Sequence, residues 1–172
     1  MAKIMKLIAV LAALLTICGI IFQINLAVVI TFGTIAYHFI MRLLTGFVID
    51  RVLNNHVNYR ARWFRVSEIE QKFYKKINVK KWKGKMGTYD PSVFDNKIHS
   101  WDEIAQATCQ AELVHEAIII LSFVPIVLSI PFGALGVFVI TSVLAAGFDA
   151  IFVIMQRFNR PRILKLIKDV EM

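Results

Sequence analysis

Four apolar stretches run along the chain, from Leu7 to Phe22, Leu26 to Met41, Ala117 to Pro131 and Gly133 to Met155. Between the second and the third lies a charged block from Asp50 to Glu116. A straight helix needs about 20 apolar residues to cross a bilayer. The clean runs before Gln23 and after Glu116 are only about 16 and 15 residues long. The first lengthens if Lys3 and Lys6 snorkel to the head groups. The third contains Pro125 and ends at Pro131, which predicts a kink or a re-entrant path. The pattern therefore predicts an all-α membrane protein with about four membrane helices in two hairpins. A helical cytoplasmic insertion separates the second helix from the third. Residues 1–172 form one membrane domain, with spans at about 4–22, 26–49, 112–130 and 133–156 and the insertion at about 50–111.

The insertion carries its own helix signals. Ser67-Glu68-Ile69-Glu70 is a capping box, with Ser at the helix start and Glu three residues later, opening a helix through Ile77. Ile69, Phe73 and Ile77 recur every four residues, an apolar stripe opposite Lys72, Lys75 and Lys76. Such a helix lies on a membrane surface or packs onto its own domain. Gly84, Gly87, Pro91 and Asn96 mark the next stretch as loop. Ser100-Trp101-Asp102-Glu103 is a second capping box. No breaker follows before Pro125, so one helix is expected from about Trp101 into the third span.

Composition agrees with the pattern. A chain of 172 residues that is 58% hydrophobic, with mean hydropathy +0.64, is too apolar for an ordinary soluble domain. The net charge of +8 divides as +3 for residues 1–49, +3 for 50–116, −1 for 117–156 and +3 for 157–172. The turns at Gln23-Ile24-Asn25 and Ile130 to Gly133 carry no charge. Lys and Arg stay on the cytoplasmic side of spanning segments, so both termini and the insertion are expected there. Cations beside spans suit anionic head groups, and no nucleic-acid partner is expected. Cys18 in a span and Cys109 on the cytoplasmic side predict no disulfide. Met1 to Lys6 before an apolar run resembles a secretory signal, but Gln23 and Asn25 lead straight into another apolar segment, which favours a retained span.

Candidate chemistry gathers where the third span meets the cytoplasm. Glu112 and His115 are three apart and share a helix face. A carboxylate that fixes the tautomer of an imidazole suits a general base acting on an alcohol. The plainer reading, interfacial polar residues ending a span, carries equal weight on spacing alone. A metal reading would use Cys109, Glu112 and His115, but zinc needs more ligands than this helix supplies. A second cluster, Gln156-Arg157-Phe158-Asn159-Arg160-Pro161-Arg162, closes the last span. Pro161 should break or kink the helix, and the arginines fork onto phosphate or carboxylate oxygens. In Lys80-Lys81-Trp82-Lys83-Gly84-Lys85, a tryptophan amid lysines suits a loop at head-group depth. His38 and Arg42 lie one turn apart in the second span, and Asp149 is costly in the last span unless paired. We expect these three to line one polar pocket, although Arg42 could equally snorkel outward.

Val79-Lys80-Lys81-Trp82-Lys83, Ala111-Glu112-Leu113-Val114-His115 and Gln156-Arg157-Phe158-Asn159-Arg160-Pro161-Arg162 occur in this order. Together they resemble the glycosyl-4,4'-diaponeurosporenoate acyltransferase family over roughly Trp63 to Lys165. The resemblance implies a small bacterial cell-membrane enzyme that acylates a sugar hydroxyl in carotenoid synthesis. Two departures, the longer apolar segments before residue 50 and Glu116 at a position aromatic in the carotenoid enzyme, leave the acceptor open. The expected activity is transfer of a fatty acyl chain to a hydroxyl of a lipid-linked acceptor, glycosylated or not. His115 is the expected base and Glu112 its orienting acid. Arg157, Asn159, Arg160, Arg162, Lys81 and Lys83 would bind substrate, the cations on donor phosphates, with Trp82 at head-group depth and His38 and Arg42 in the pocket. The donor would be acyl-CoA, an acyl-carrier protein or a phospholipid, with no metal or other cofactor. The alternative is a non-catalytic lipid-binding or assembly subunit of a membrane complex. A transporter finds little support, because mid-membrane polar residues are sparse and no inverted repeat is evident.

Overall fold

The computed structural model describes residues 2–82 and 91–171. Among these residues every regular element is helical and no strand occurs. The α-helices are α1 (Ala2–Ile21), α2 (Leu26–Leu53), α3 (Glu68–Lys76), α4 (Val79–Trp82), α5 (Trp101–Leu121), α6 (Ser129–Phe132) and α7 (Leu135–Glu171). Short 3-10 turns lie at Arg62–Phe64, Pro91–Phe94 and Val124–Leu128. Four segments are long and apolar enough to cross a membrane: Lys3–Ile21, Leu26–Leu53, Trp101–Phe132 and Leu135–Val170. This is a membrane protein.

The helix ends follow local chemistry. Asn25 Oδ1 accepts the Ala27 N–H at 2.9 Å and so caps α2. Past Met41, α2 meets no breaker until Asn54 and Asn55, whose φ of 43° and 59° end it. Both predicted capping boxes form. Ser67 Oγ accepts the Glu70 N–H while the Glu70 carboxylate accepts the Ser67 N–H, and Ser100 and Glu103 repeat the exchange at the start of α5. α5 stops at Leu121, four residues before Pro125, because the proline ring would clash with that residue's carbonyl. Gly133, with φ 68°, closes α6.

The break that Pro161 could have made does not occur, and the structure shows which face of α3 packs inward. Pro161 neither breaks nor ends α7, which continues to Glu171. The cost is local, one missing N–H towards the Arg157 carbonyl, and the buried side chains on either side outweigh it. α3 packs onto its own domain, but not through the stripe of Ile69 and Phe73. The inward face of α3 is built on Tyr74 with Glu70, while Ile69 and Phe73 are exposed. Helix spacing cannot tell two candidate faces apart when one is apolar and the other offers an aromatic and a pairable acid.

The chain divides into two compact units. The first comprises Met1–Val48 with Ala117–Phe148. Here α1 and α2 approach closely at Gly19, where an added Cβ would lie 2.9 Å from Val29 Cγ2. Several polar side chains bond within the unit. Thr16, Thr31, Thr34 and Ser122 donate to carbonyls four residues back at 2.8 Å, and Tyr37 Oη donates to the Leu121 carbonyl at 2.8 Å. Hydrocarbon offers no substitute for such bonds.

The second unit comprises Ile49–Glu116 with Asp149–Met172. Three buried clusters hold it. Ile104, Ala105, Ile163 and Ile167 join α5 to α7. Val57, Phe64 and Cys109 seat the 57–66 segment on α5. Tyr74, Val79 and Phe158 fix α3 and α4 on α7. Each large side chain buried this way contributes about 1.5–3 kcal/mol. Polar clamps add register: the Asn55 N–H donates to Gln110 Oε1 at 2.7 Å, Gln110 Nε2 to Asp50 Oδ1 at 3.0 Å, and Tyr59 Oη to Asp102 Oδ1 at 2.5 Å.

Candidate active site

His115 and Asp149 meet inside the second unit. His115 projects from α5 and Asp149 from α7, with Nδ1 and Oδ1 2.8 Å apart. Asp149 is buried, whereas the His115 side chain keeps 22% of its surface. Phe152, one turn along α7 from Asp149, stacks on the imidazole with centroids 4.6 Å apart and an interplanar angle of 7°. α7 thus fixes the ring twice, by its edge and by its face. An ionised carboxylate only accepts hydrogen bonds, so with Asp149 ionised Nδ1–H is the donor, and in the neutral imidazole Nε2 is left with the lone pair. Among the described residues Nε2 has no hydrogen-bonding partner.

The acid expected beside His115 was Glu112. Glu112 instead lies on two arginines. Three residues along a helix share a broad face, yet their side chains leave the axis about 60° apart, room enough for different partners. Glu112 is fully buried, with Oε1 2.7 Å from Arg157 Nη1 and Oε2 2.5 Å from Arg160 Nη2, the latter an ion pair rather than a well-angled hydrogen bond.

The arginines in turn hold the backbone of 63–65. Arg157 donates to the carbonyls of Trp63 and Arg65 at 3.3 and 3.1 Å, and its Nε donates to Glu70 Oε1 at 3.0 Å. Arg160 donates to the Phe64 carbonyl at 3.1 Å and to the hydroxyl and carbonyl of Thr108 at 3.3 and 3.2 Å, with its guanidinium 5.1 Å over the Phe64 ring. Two carboxylates face two guanidiniums, so the buried network is charge-balanced. Burial pushes the Glu70 carboxyl up, but the Ser67 N–H and the Arg157 guanidinium outweigh it and hold it below the usual carboxylate range.

Arg157 and Arg160 therefore do not present free forks to a donor phosphate: each of their three nitrogens is engaged within the protein. Arg162 is exposed, with its guanidinium 4.8 Å over the Phe158 ring, and Asn159 is half-buried. Lys81 is exposed. Trp82 packs against the Tyr74, Val79 and Phe158 cluster, so much of its ring is covered by the protein itself. Lys83 lies outside the described residues. In the first unit, Arg42 donates to the carbonyls of His38 and Ala145 at 3.1 and 3.2 Å. Cys109 sits in the apolar cluster with Val57 and Phe64, away from any metal-like grouping among the described residues.

Reasoning from the sequence missed Phe152, Glu70 and the pairing of Asp149 with His115. The one available signal was that a lone acid in a span demands a partner. Trp63 was missed too: it is exposed, and its Nε1–H donates to Glu116 Oε2 at 3.0 Å.

Residues 60–169 match the family model described as CrtO, glycosyl-4,4'-diaponeurosporenoate acyltransferase. The match covers well over half of the chain and includes Glu70, Glu112, His115, Asp149, Arg157 and Arg160. The chain belongs to this family. No curated protein and no solved structure matches it. The family's name denotes acyl transfer, so the protein is an acyltransferase of the CrtO type. α1 and α2, with His38 and Arg42, precede the part that the CrtO model matches.

Proposed function

We propose that this CrtO-family protein transfers a fatty acyl chain to a hydroxyl of a lipid-linked acceptor, glycosylated or not, with His115 as general base and Asp149 as its orienting acid. The observation that carries the reading is the 2.8 Å contact between Nδ1 and the buried Asp149 carboxylate, which leaves Nε2 for substrate. In the reaction, Nε2 takes the acceptor hydroxyl proton while the oxygen attacks the acyl carbonyl carbon. The new ester bond forms as the bond to the donor's sulfur or oxygen breaks. The imidazolium returns its proton to that leaving group, and Asp149 stabilises the cation meanwhile. Phe152 keeps the ring from turning.

Glu112, Arg157 and Arg160 position this machinery by fixing α5, α7 and the 63–65 backbone to one another. Donor phosphates, whether of acyl-CoA, an acyl-carrier protein or a phospholipid, fall to exposed cations such as Arg162 and Lys81, with Lys83 beside them in sequence. The spans form two hairpins in a bacterial cell membrane, with the insertion and both termini cytoplasmic. The uncharged turns and the close approach at Gly19 support that arrangement.

The test is acyl transfer by purified protein in a bilayer, with lipid extracts of deletion and wild-type cells compared by mass spectrometry to name the product. His115→Gln should lower kcat by about 10²–10⁴-fold, the ordinary contribution of a general base. Full activity in that variant would end the mechanism. Unchanged lipid extracts together with intact lipid binding would favour a binding or assembly subunit.

A further inference from the structure

α3 is amphipathic in an unusual sense: its more apolar stripe faces away from the domain. Ile69 and Phe73 are 80% and 53% exposed. They lie four apart; Lys72 and Lys76, three positions on from each, lie on the same side and not opposite as expected from the sequence, and both lysines are exposed. The opposite side of the helix is committed: Tyr74 is buried against Val79 and Phe158, and Glu70 is bound to Arg157. α3 therefore cannot roll its apolar stripe inward without breaking that attachment.

The charge around the patch has one sign. From Arg62 to Trp82, Arg62, Arg65, Lys72, Lys75, Lys76 and Lys80 are all exposed, whereas Glu68 is the one fully exposed acid among the described residues there. An isoleucine and a phenylalanine between lysines fit a surface that is apolar below and anionic above. A bilayer with anionic head groups is such a surface. A protein partner with an apolar groove would leave the lysines to be desolvated individually, whereas head groups accept them in water.

We infer that the Ile69–Phe73 face of α3 docks on the anionic surface of the bilayer that the long helices cross. Lys72 and Lys76 contact lipid phosphates, and the two apolar side chains enter the head-group boundary. The inference rests on the membrane-spanning reading alone and stands or falls independently of the acyl-transfer chemistry.

The test uses the full chain in lipid nanodiscs with a nitroxide attached to single cysteines at Ile69, Phe73 or Lys75. Cys18→Ser removes the exposed native thiol, and Cys109 is buried; the same protein without an added cysteine measures any labelling there. Collision with dissolved oxygen reports lipid, and collision with a charged nickel chelate reports water. In nanodiscs with 30% phosphatidylglycerol, labels at 69 and 73 should favour oxygen, whereas the label at 75 favours the chelate. Pure phosphatidylcholine, 0.5 M salt or Lys72→Glu/Lys76→Glu should each shift 69 and 73 toward the chelate. Three results overturn the inference. Labels at 69 and 73 as wet as at 75 mean no docking. Labels shielded from both reagents mean a protein cover. A lipid depth indifferent to head-group charge and to the lysine reversals means that the anionic surface is not what is recognised.

Discussion

Two buried acids in this protein have opposite surroundings, and that separates their roles. Asp149 holds an imidazole that keeps an exposed edge, whereas Glu112 is enclosed by two guanidiniums with no exposed atom. Removing the charge of Glu112 leaves Arg160 buried without its counter-ion, which costs about 3–5 kcal/mol. Glu112→Gln is therefore expected to lower the thermal midpoint in detergent sharply, with activity falling only as folded protein is lost. Asp149→Asn should do the reverse, keeping the midpoint nearly unchanged while cutting kcat at constant KM, because a neutral amide no longer fixes the imidazole tautomer or its cation. Activity and thermal melts on the same two preparations decide it; a rate lost with Glu112 at full stability would restore that residue to the catalytic pair. The sequence already singled out His115, Glu112 and Asp149. It could not pair His115 with Asp149, since the two lie 34 positions apart along the chain.

At the scale of elements, α3 hangs on Glu70. One oxygen of that carboxylate accepts the Ser67 N–H at 2.8 Å, and the other accepts Arg157 Nε at 3.0 Å and Tyr74 Oη at 3.1 Å. Its carboxyl is held below the ordinary range, so its stabilising effect is complete above the unfolded value and disappears as pH falls through the lower folded one. Amide protection of residues 68–76 by hydrogen exchange should therefore stay level from neutral pH down to about pH 4 and drop below it. In Glu70→Gln the protection should be weaker at neutral pH and the acid step absent; an acid step of the same size in that variant would assign it elsewhere. Both capping boxes were legible because a cap is a contact within four residues. The face that α3 turns inward was not, because it is chosen by Phe158 and Arg157, some 80 residues away. That α7 runs on past Pro161 was not legible for a related reason: a helix end is local, but the packing of Phe158, Ile163 and Ile167 around the proline is not.

For the molecule as a whole, the decisive quantity is where its 20 lysines and arginines lie relative to the apolar helices. None falls in residues 22–25, the connection from α1 to α2, or in residues 129–134, α6 and its connection to α7. An inverted orientation would carry every flanking cation to the other side. Each lysine or arginine held at the centre of a span costs roughly 2.5–3.5 kcal/mol, and the cytoplasmic retention of cations works against their transfer during insertion. Single cysteines at Gln23 and Ala134, on the Cys18→Ser background, should therefore react with an impermeant maleimide added to intact cells. Cysteines at Lys3, Lys97 and Lys168 should react only after the membrane is opened. That orientation would bring His115 toward a cytoplasmic acyl donor, with the uncharged connection after Phe132 outside and the start of α5 inside. If the outer reagent reached Lys97 and not Gln23, a cytoplasmic thioester would be out of reach, and only a lipid donor from the outer leaflet would remain compatible with the His115–Asp149 pair. The labelling pattern thus constrains the co-substrate as well as the fold.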